Sequence, residues 1–125
     1  MIIDTDVIIW ELRGNLKAQR VILESTPFSM SVVTYIELVQ GMKNKAELQA
    51  FLRQLKRWSV RIIQLDGNIS SRAMFYVEEY CLSHSMYLAD ALIAATVVEL
   101  NEPLLTANDK HYRHIPRIQL KKFIP

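Results

Sequence analysis

The sequence has one cysteine, Cys81, in 125 residues, so no intrachain disulfide can form and a packed core must hold the fold. Glycine and proline are scarce, three and four residues, which leaves no material for flexible linkers and points to regular elements joined by short turns. No uncharged apolar run approaches the ~20 residues that a membrane-spanning helix needs. The opening residues, Met1 to Asp6, carry acids where a secretory signal would carry positive charge and then a longer apolar stretch. We therefore expect a cytoplasmic protein with no membrane partner. Neither His-Glu-x-x-His nor Cys-x-x-Cys occurs, which removes the common zinc signatures, and there is no Gly-rich phosphate-binding loop. Charge of one sign is also lacking. Lys and Arg number 15 against 13 Asp and Glu, and a formal +2 is too small to argue for nucleic-acid binding by itself.

What the chain does have is apolar content, 50% of its residues, enough for one core and a single domain over residues 1–125. Short β-like runs at Met1–Ile3, Phe28–Ser31, Val60–Leu65 and Pro103–Thr106 predict strands, and Ile118–Phe123 predicts an edge strand. Between them, helices are expected over Val7–Leu12, Ala18–Glu24 and Val32–Gln40, the last capped by Ser31 and stopped by Gly41. Leu48, Phe51, Leu52 and Leu55 follow the i, i+3, i+4, i+7 spacing of an amphipathic helix. Ile69, Ala73, Tyr76, Val77, Tyr80 and Cys81 mark one face of a long helix. Leu88–Leu100 is apolar on nearly all sides and should be buried on several. Strands alternating with helices predict an α/β fold with a mostly parallel sheet, since parallel pairing needs helical crossovers.

In such sheets ligands gather beyond the carboxyl ends of the strands. Two strands end on polar residues: the first at Asp4-Thr5-Asp6, the fourth at Thr106-Ala107-Asn108-Asp109. Asp90 lies near the start of an otherwise apolar helix, and Glu37 stands between Ile36 and Leu38. If Asp4, Glu37 and Asp90 converge, their mutual repulsion demands either a proton or a cation, and hard oxygen donors favour Mg²⁺ or Mn²⁺. Such an ion activates water and neutralises a scissile phosphate, so metal-assisted phosphodiester hydrolysis is the reaction class. Each acid also has a structural reading: Asp4 as a turn residue or N-cap, Glu37 in a capping box with Thr34, Asp90 as a charge favoured by its own helix dipole.

Four segments together resemble the PIN-domain family, and within it the VapC-type toxins of toxin–antitoxin pairs. They are Ile2-Ile3-Asp4-Thr5-Asp6-Val7-Ile8-Ile9; Ser31 to Leu38 with Thr34, Glu37 and Gly41; Leu88-Ala89-Asp90-Ala91-Leu92-Ile93-Ala94-Ala95-Thr96; and Leu104-Leu105-Thr106-Ala107-Asn108-Asp109-Lys110-His111-Tyr112. They occur in the family's order and span nearly the whole chain. The resemblance implies a three-layer α/β/α sandwich, an acidic pocket that binds Mg²⁺ or Mn²⁺, and cleavage of single-stranded or loop RNA. Asp4, Glu37 and Asp90 match the family's best-defined acids and are carried over as catalytic and metal-site residues. It also implies a homodimer and a VapB-like antitoxin whose C-terminal segment inserts near the pocket. Two positions depart from the pattern. Asp6 stands where the family usually has Asn, either adding charge to the site or capping the helix that follows. Asn108 stands where some members have a fourth acid; it could orient a water, with Asp109 supplying the missing charge or serving only the turn.

Lys110, Arg113 and Arg117 follow the fourth segment closely enough to touch phosphates near the cut. Lys43, Lys45, Arg53, Lys56 and Arg57 read as a solvated face. His111 and His114, spaced i, i+3, are a possible metal pair, with exposed or substrate-facing rings the preferred reading. Cys81 reads as core, and Trp10 and Trp58 as packing or interface residues. The competing expectation, of a different class, is a catalytically silent PIN-like module that binds RNA or protein.

Overall fold

A computed structural model describes residues 1–125. Five short strands form one sheet: β1 (Ile2–Ile3), β2 (Ser29–Ser31), β3 (Arg61–Ile63), β4 (Leu104–Thr106) and β5 (Leu120–Lys122). Their order is β3-β2-β1-β4-β5, and every neighbouring pair is parallel. The sheet is thus wholly parallel, including the C-terminal edge strand. The helices are α1 (Thr5–Leu12), α2 (Leu16–Ser25), α3 (Val32–Gln40), α4 (Lys45–Arg57), α5 (Gly67–His84) and α6 (Leu88–Leu100), with a 3-10 turn at Asp109–His111.

Alternation along the strands divides the core into two layers. On β1, Ile2 packs with Ala91, Ala94 and Ala95 of α6 and Ala73 and Tyr76 of α5, while Ile3 packs with Val7, Ala18, Ile22, Phe51 and Leu55 on the other face. Leu104 and Leu105 of β4 divide the same way. Helices therefore cover both faces, the three-layer α/β/α arrangement expected. The near-continuous burial of α6 follows from its packing against both the sheet and α5: Ala91, Ile93, Ala94, Ala95, Thr96 and Val97 are all buried.

Helix ends lie where cap chemistry places them. Ser31, Asn15, Asn44 and Asp66 each accept a backbone N–H of the turn they open. Asn15 and Asn44 start α2 and α4 earlier than apolar spacing indicates. Conversely, only three residues of the Val60–Leu65 run pair as strand. Trp58 is buried beside Phe28, ring centroids 5.8 Å apart, and Arg13 lies over the half-buried ring of Trp10. Cys81 is half-buried rather than part of the core, because its position on α5 falls at the edge of the buried stripe. No helix is long and apolar enough to cross a membrane.

Candidate active site

The chain runs outward from β1 through β2 to β3, then returns to the other side of β1 as β4. The switch in direction opens a crevice between the carboxyl ends of β1 and β4, where open parallel sheets bind ligands. Asp4 follows β1 and Thr106 ends β4, and the Thr106 hydroxyl donates to Asp4 Oδ2 at 2.9 Å. The other oxygen, Asp4 Oδ1, accepts the Thr5 N–H at 2.8 Å. Asp4 is therefore both the N-cap of α1 and a member of the crevice, so the two readings of this residue are one arrangement.

Asp6, in the first turn of α1, sits beside it. Its Oδ2 accepts the Ala107 N–H at 3.0 Å, and its Oδ1 is buried with no hydrogen-bond partner. Burial, then the charge of Asp6, push the Asp4 carboxyl up to about 7, against hydrogen bonds from Thr106 and Thr5 that favour the ion. Asp6 is raised in the same direction, chiefly by burial. Asp90 enters from α6. Its helix is capped at Tyr87 without a side-chain bond, and Asp90 turns to other partners: Oδ1 accepts the Tyr112 hydroxyl at 3.3 Å, and Oδ2 lies 3.2 Å from His111 Nδ1. Tyr112 is 1% exposed, and its hydroxyl also interacts with Asp4. Burial and the surrounding charges of Asp4, Asp90 and Asp6 raise its pKa. Asp4, Asp6 and Asp90 thus gather around one buried phenol.

Glu37 is placed differently. It is exposed, and its Oε1 accepts the Thr5 hydroxyl at 2.8 Å; the same hydroxyl lies 3.0 Å from Thr34 Oγ1. The capping-box reading of Thr34 and Glu37 fails because Ser31 caps α3. No three acidic, histidine or cysteine side chains converge on a single point; the hydroxyls of Thr5, Thr106 and Tyr112 stand among the acids. The donor set still fits a hard divalent cation. It is all oxygen, it contains an enclosed carboxylate oxygen without a partner, and it holds two neighbouring carboxyls, Asp4 buried and Asp6 half-buried, whose ionisation is disfavoured.

Of the other residues singled out, Thr106 is fully buried among the acids. Asn108 is exposed, its backbone N–H donating to Thr106 Oγ1 and its side chain forming no cap bond. Asp109 opens the 3-10 turn and lies 3.6 Å from Lys122 Nζ, which accounts for it structurally. Lys110 and Arg113 are exposed on the segment that carries Tyr112. His111 and His114 do not pair. His111 is exposed against Asp90, whereas His114 is half-buried on His84, because the turn after Tyr112 folds back onto α5. Tyr112 and Thr5 are the site residues missed from sequence. Tyr112 ends the fourth motif, and an aromatic there reads as core because its body is core.

A family profile described as the PIN domain matches residues 1–118. Among solved structures, a toxin–antitoxin complex from Klebsiella pneumoniae has a chain 27% identical, with a TM-score of 0.77 over 94% of this chain and 93% of that one. A chain of VapBC-1 from nontypeable Haemophilus influenzae is 23% identical, TM-score 0.76, over 97% and 96%. A chain of DNA-bound VapBC from Salmonella typhimurium is 17% identical, TM-score 0.78, over 97% and 96%, a likeness of fold. No curated protein matches the sequence.

Proposed function

The chain belongs to the PIN-domain family, and from that premise we propose that it is a metal-dependent endoribonuclease, the toxin of a VapBC-type toxin–antitoxin pair. The observation that carries the reading is the crevice between β1 and β4, where buried Asp4 sits beside half-buried Asp6, one enclosed oxygen of Asp6 has no partner, and Asp90 is close by.

Asp4, Asp6 and Asp90 would hold Mg²⁺ or Mn²⁺, with Glu37 on the open rim. Bound there, the ion would supply an activated water and neutralise charge on the scissile phosphate. The chain's own residues do the positioning. Thr106 and the Thr5 N–H fix both oxygens of Asp4. Thr5 orients Glu37, whose exposed carboxylate is free to accept a proton from an attacking water. Lys110 and Arg113 are available to phosphates flanking the cut. A cytoplasmic location suits a chain with a single, half-buried thiol. The partners proposed are an RNA substrate, a VapB-like antitoxin and a second copy of the chain.

The test is cleavage of a mixed RNA pool with Mn²⁺ or Mg²⁺ and with chelator, beside folded Asp4→Asn and Asp90→Asn variants. Cleavage that needs the ion and both aspartates supports the nuclease. Metal-independent cleavage that survives in both variants rejects this site. A silent RNA- or protein-binding module is the second reading, favoured by one observation: both oxygens of Asp90 are already occupied, by Tyr112 and His111. Calorimetry with Mn²⁺ separates the two, since a silent module shows no heat that depends on Asp4 and Asp90.

A further inference from the structure

Outside the acidic crevice, the segment after the 3-10 turn folds back on α5 through three rings, Tyr80, His84 and His114. His84, the last residue of α5, stacks on His114 with centroids 4.1 Å apart and planes 20° from parallel. Tyr80, one turn earlier, meets His114 at 4.5 Å and His84 at 5.6 Å, both edge-on. Ser83 Oγ lies 2.7 Å from His84 Nδ1 and fixes the plane of that ring. Both nitrogens of His114 are enclosed without a partner, an arrangement that disfavours charge on this ring, and the pKa is lowered by burial and by His84. His84 is exposed, so the stack ends in an imidazole open to solvent.

An ordered stack that ends in an exposed ring is the form of a base-stacking platform, since every nucleobase offers a π-face and unpaired bases stack on His, Tyr, Phe or Trp. Its position suits the same strand that would enter the crevice. His114 is three residues from His111, so their Cα atoms are at most about 11 Å apart, and His111 touches Asp90. On the other side His84 leads through a short turn into α6, whose first turn holds Asp90. Lys110, Arg113 and Arg117 are exposed along the connecting segment.

We propose that the His84–His114 stack is a subsite for an unpaired base of single-stranded RNA, beside the Asp90 edge of the acidic crevice. This rests on the nuclease reading for its substrate class. It adds that the strand is gripped through a base as well as through phosphates.

The test is binding of a short oligoadenylate RNA to the full chain in chelator, read by fluorescence anisotropy, beside an abasic oligonucleotide of the same length. His84→Ala, on an exposed residue, should weaken oligoadenylate binding at least about fivefold and leave abasic binding unchanged, and His84→Tyr should restore it. Thermal midpoints of both variants verify folding. Equal affinity of wild type and His84→Ala for oligoadenylate overturns the proposal, as does an equal loss with the abasic strand. If the wild type binds no RNA the subsite falls too. Metal-dependent cleavage of an RNA pool then shows whether the nuclease reading falls with it.

Discussion

Asp4 illustrates how a single residue can be structural and reactive at once. It caps α1 with one oxygen and takes Thr106 on the other, yet burial and Asp6 hold its carboxyl near 7 rather than 3.8. A carboxyl whose folded value is raised contributes stability that is complete below 3.8 and is lost as pH climbs through about 7. Without metal, Asp4→Asn should therefore melt higher than wild type above neutrality, with the gap closing toward pH 4. Thermal melts in chelator across that range measure it, and a gap independent of pH contradicts the buried-ion account. Because a divalent cation must displace that proton, apparent Mn²⁺ affinity in calorimetry should rise as pH approaches 7 and level off above it. Tyr112→Phe removes the donor to Asp90 and should cost about 1–2 kcal/mol of stability in urea unfolding. The motif acids were legible from their sequence neighbours. The phenol was not, because only tertiary packing brings a hydroxyl on a core aromatic against residues 22 and 108 positions away.

At the scale of elements, polar caps and apolar spacing told the same story with different precision. Periodicity located every helix, but α2 and α4 begin where Asn15 and Asn44 bond to the first turn, two or three residues before the apolar stripe starts. Short strands were legible as β-branched or apolar runs, and their ends were not, since a run such as Val60–Leu65 extends past the residues that find a partner. The caps also separate elements that carry the site from those that do not. Ser31 starts α3, which presents Glu37, whereas Asp66 starts α5 away from the acids. Ser31→Ala and Asp66→Ala should each cost about 1 kcal/mol, measured by urea unfolding. At a temperature where both variants remain folded, only Ser31→Ala should lower the turnover of RNA cleavage, because only it loosens the helix that carries the rim carboxylate. Equal turnover in the two variants would remove Glu37's placement from the catalytic argument.

Over the whole molecule, convergence is the property that spacing cannot express. Asp4 precedes α1, Asp6 lies in its first turn and Asp90 comes from α6, while Glu37 of α3 stays on the rim; their neighbourhood is a product of tertiary topology, to which the sequence pointed only through the resemblance of four ordered motifs. Charge behaves likewise. A net +2 is too small to argue for nucleic-acid binding by itself, yet exposed Lys110, Arg113, Arg117, Lys121 and Lys122 follow one another along the C-terminal segment that carries His111 and Tyr112 and then β5. If the chain is the proposed nuclease, a local basic rim next to an acidic pocket would hold a phosphate backbone at the edge and admit it to the centre only with a cation present, so the placement of charge would decide and not its total. Single-stranded RNA affinity should then depend on salt through these few contacts. Each phosphate neutralised contributes about −0.7 to the slope of log affinity against log salt, so replacing Lys110 and Arg113 together by Ala should reduce that slope by about 1.4. Replacing Arg53 and Arg57, exposed on α4, should leave it unchanged. Titrations of oligoadenylate RNA at several salt concentrations, in chelator, distinguish a rim that follows the RNA from charge spread evenly over the surface, for which both pairs of substitutions would flatten the slope alike.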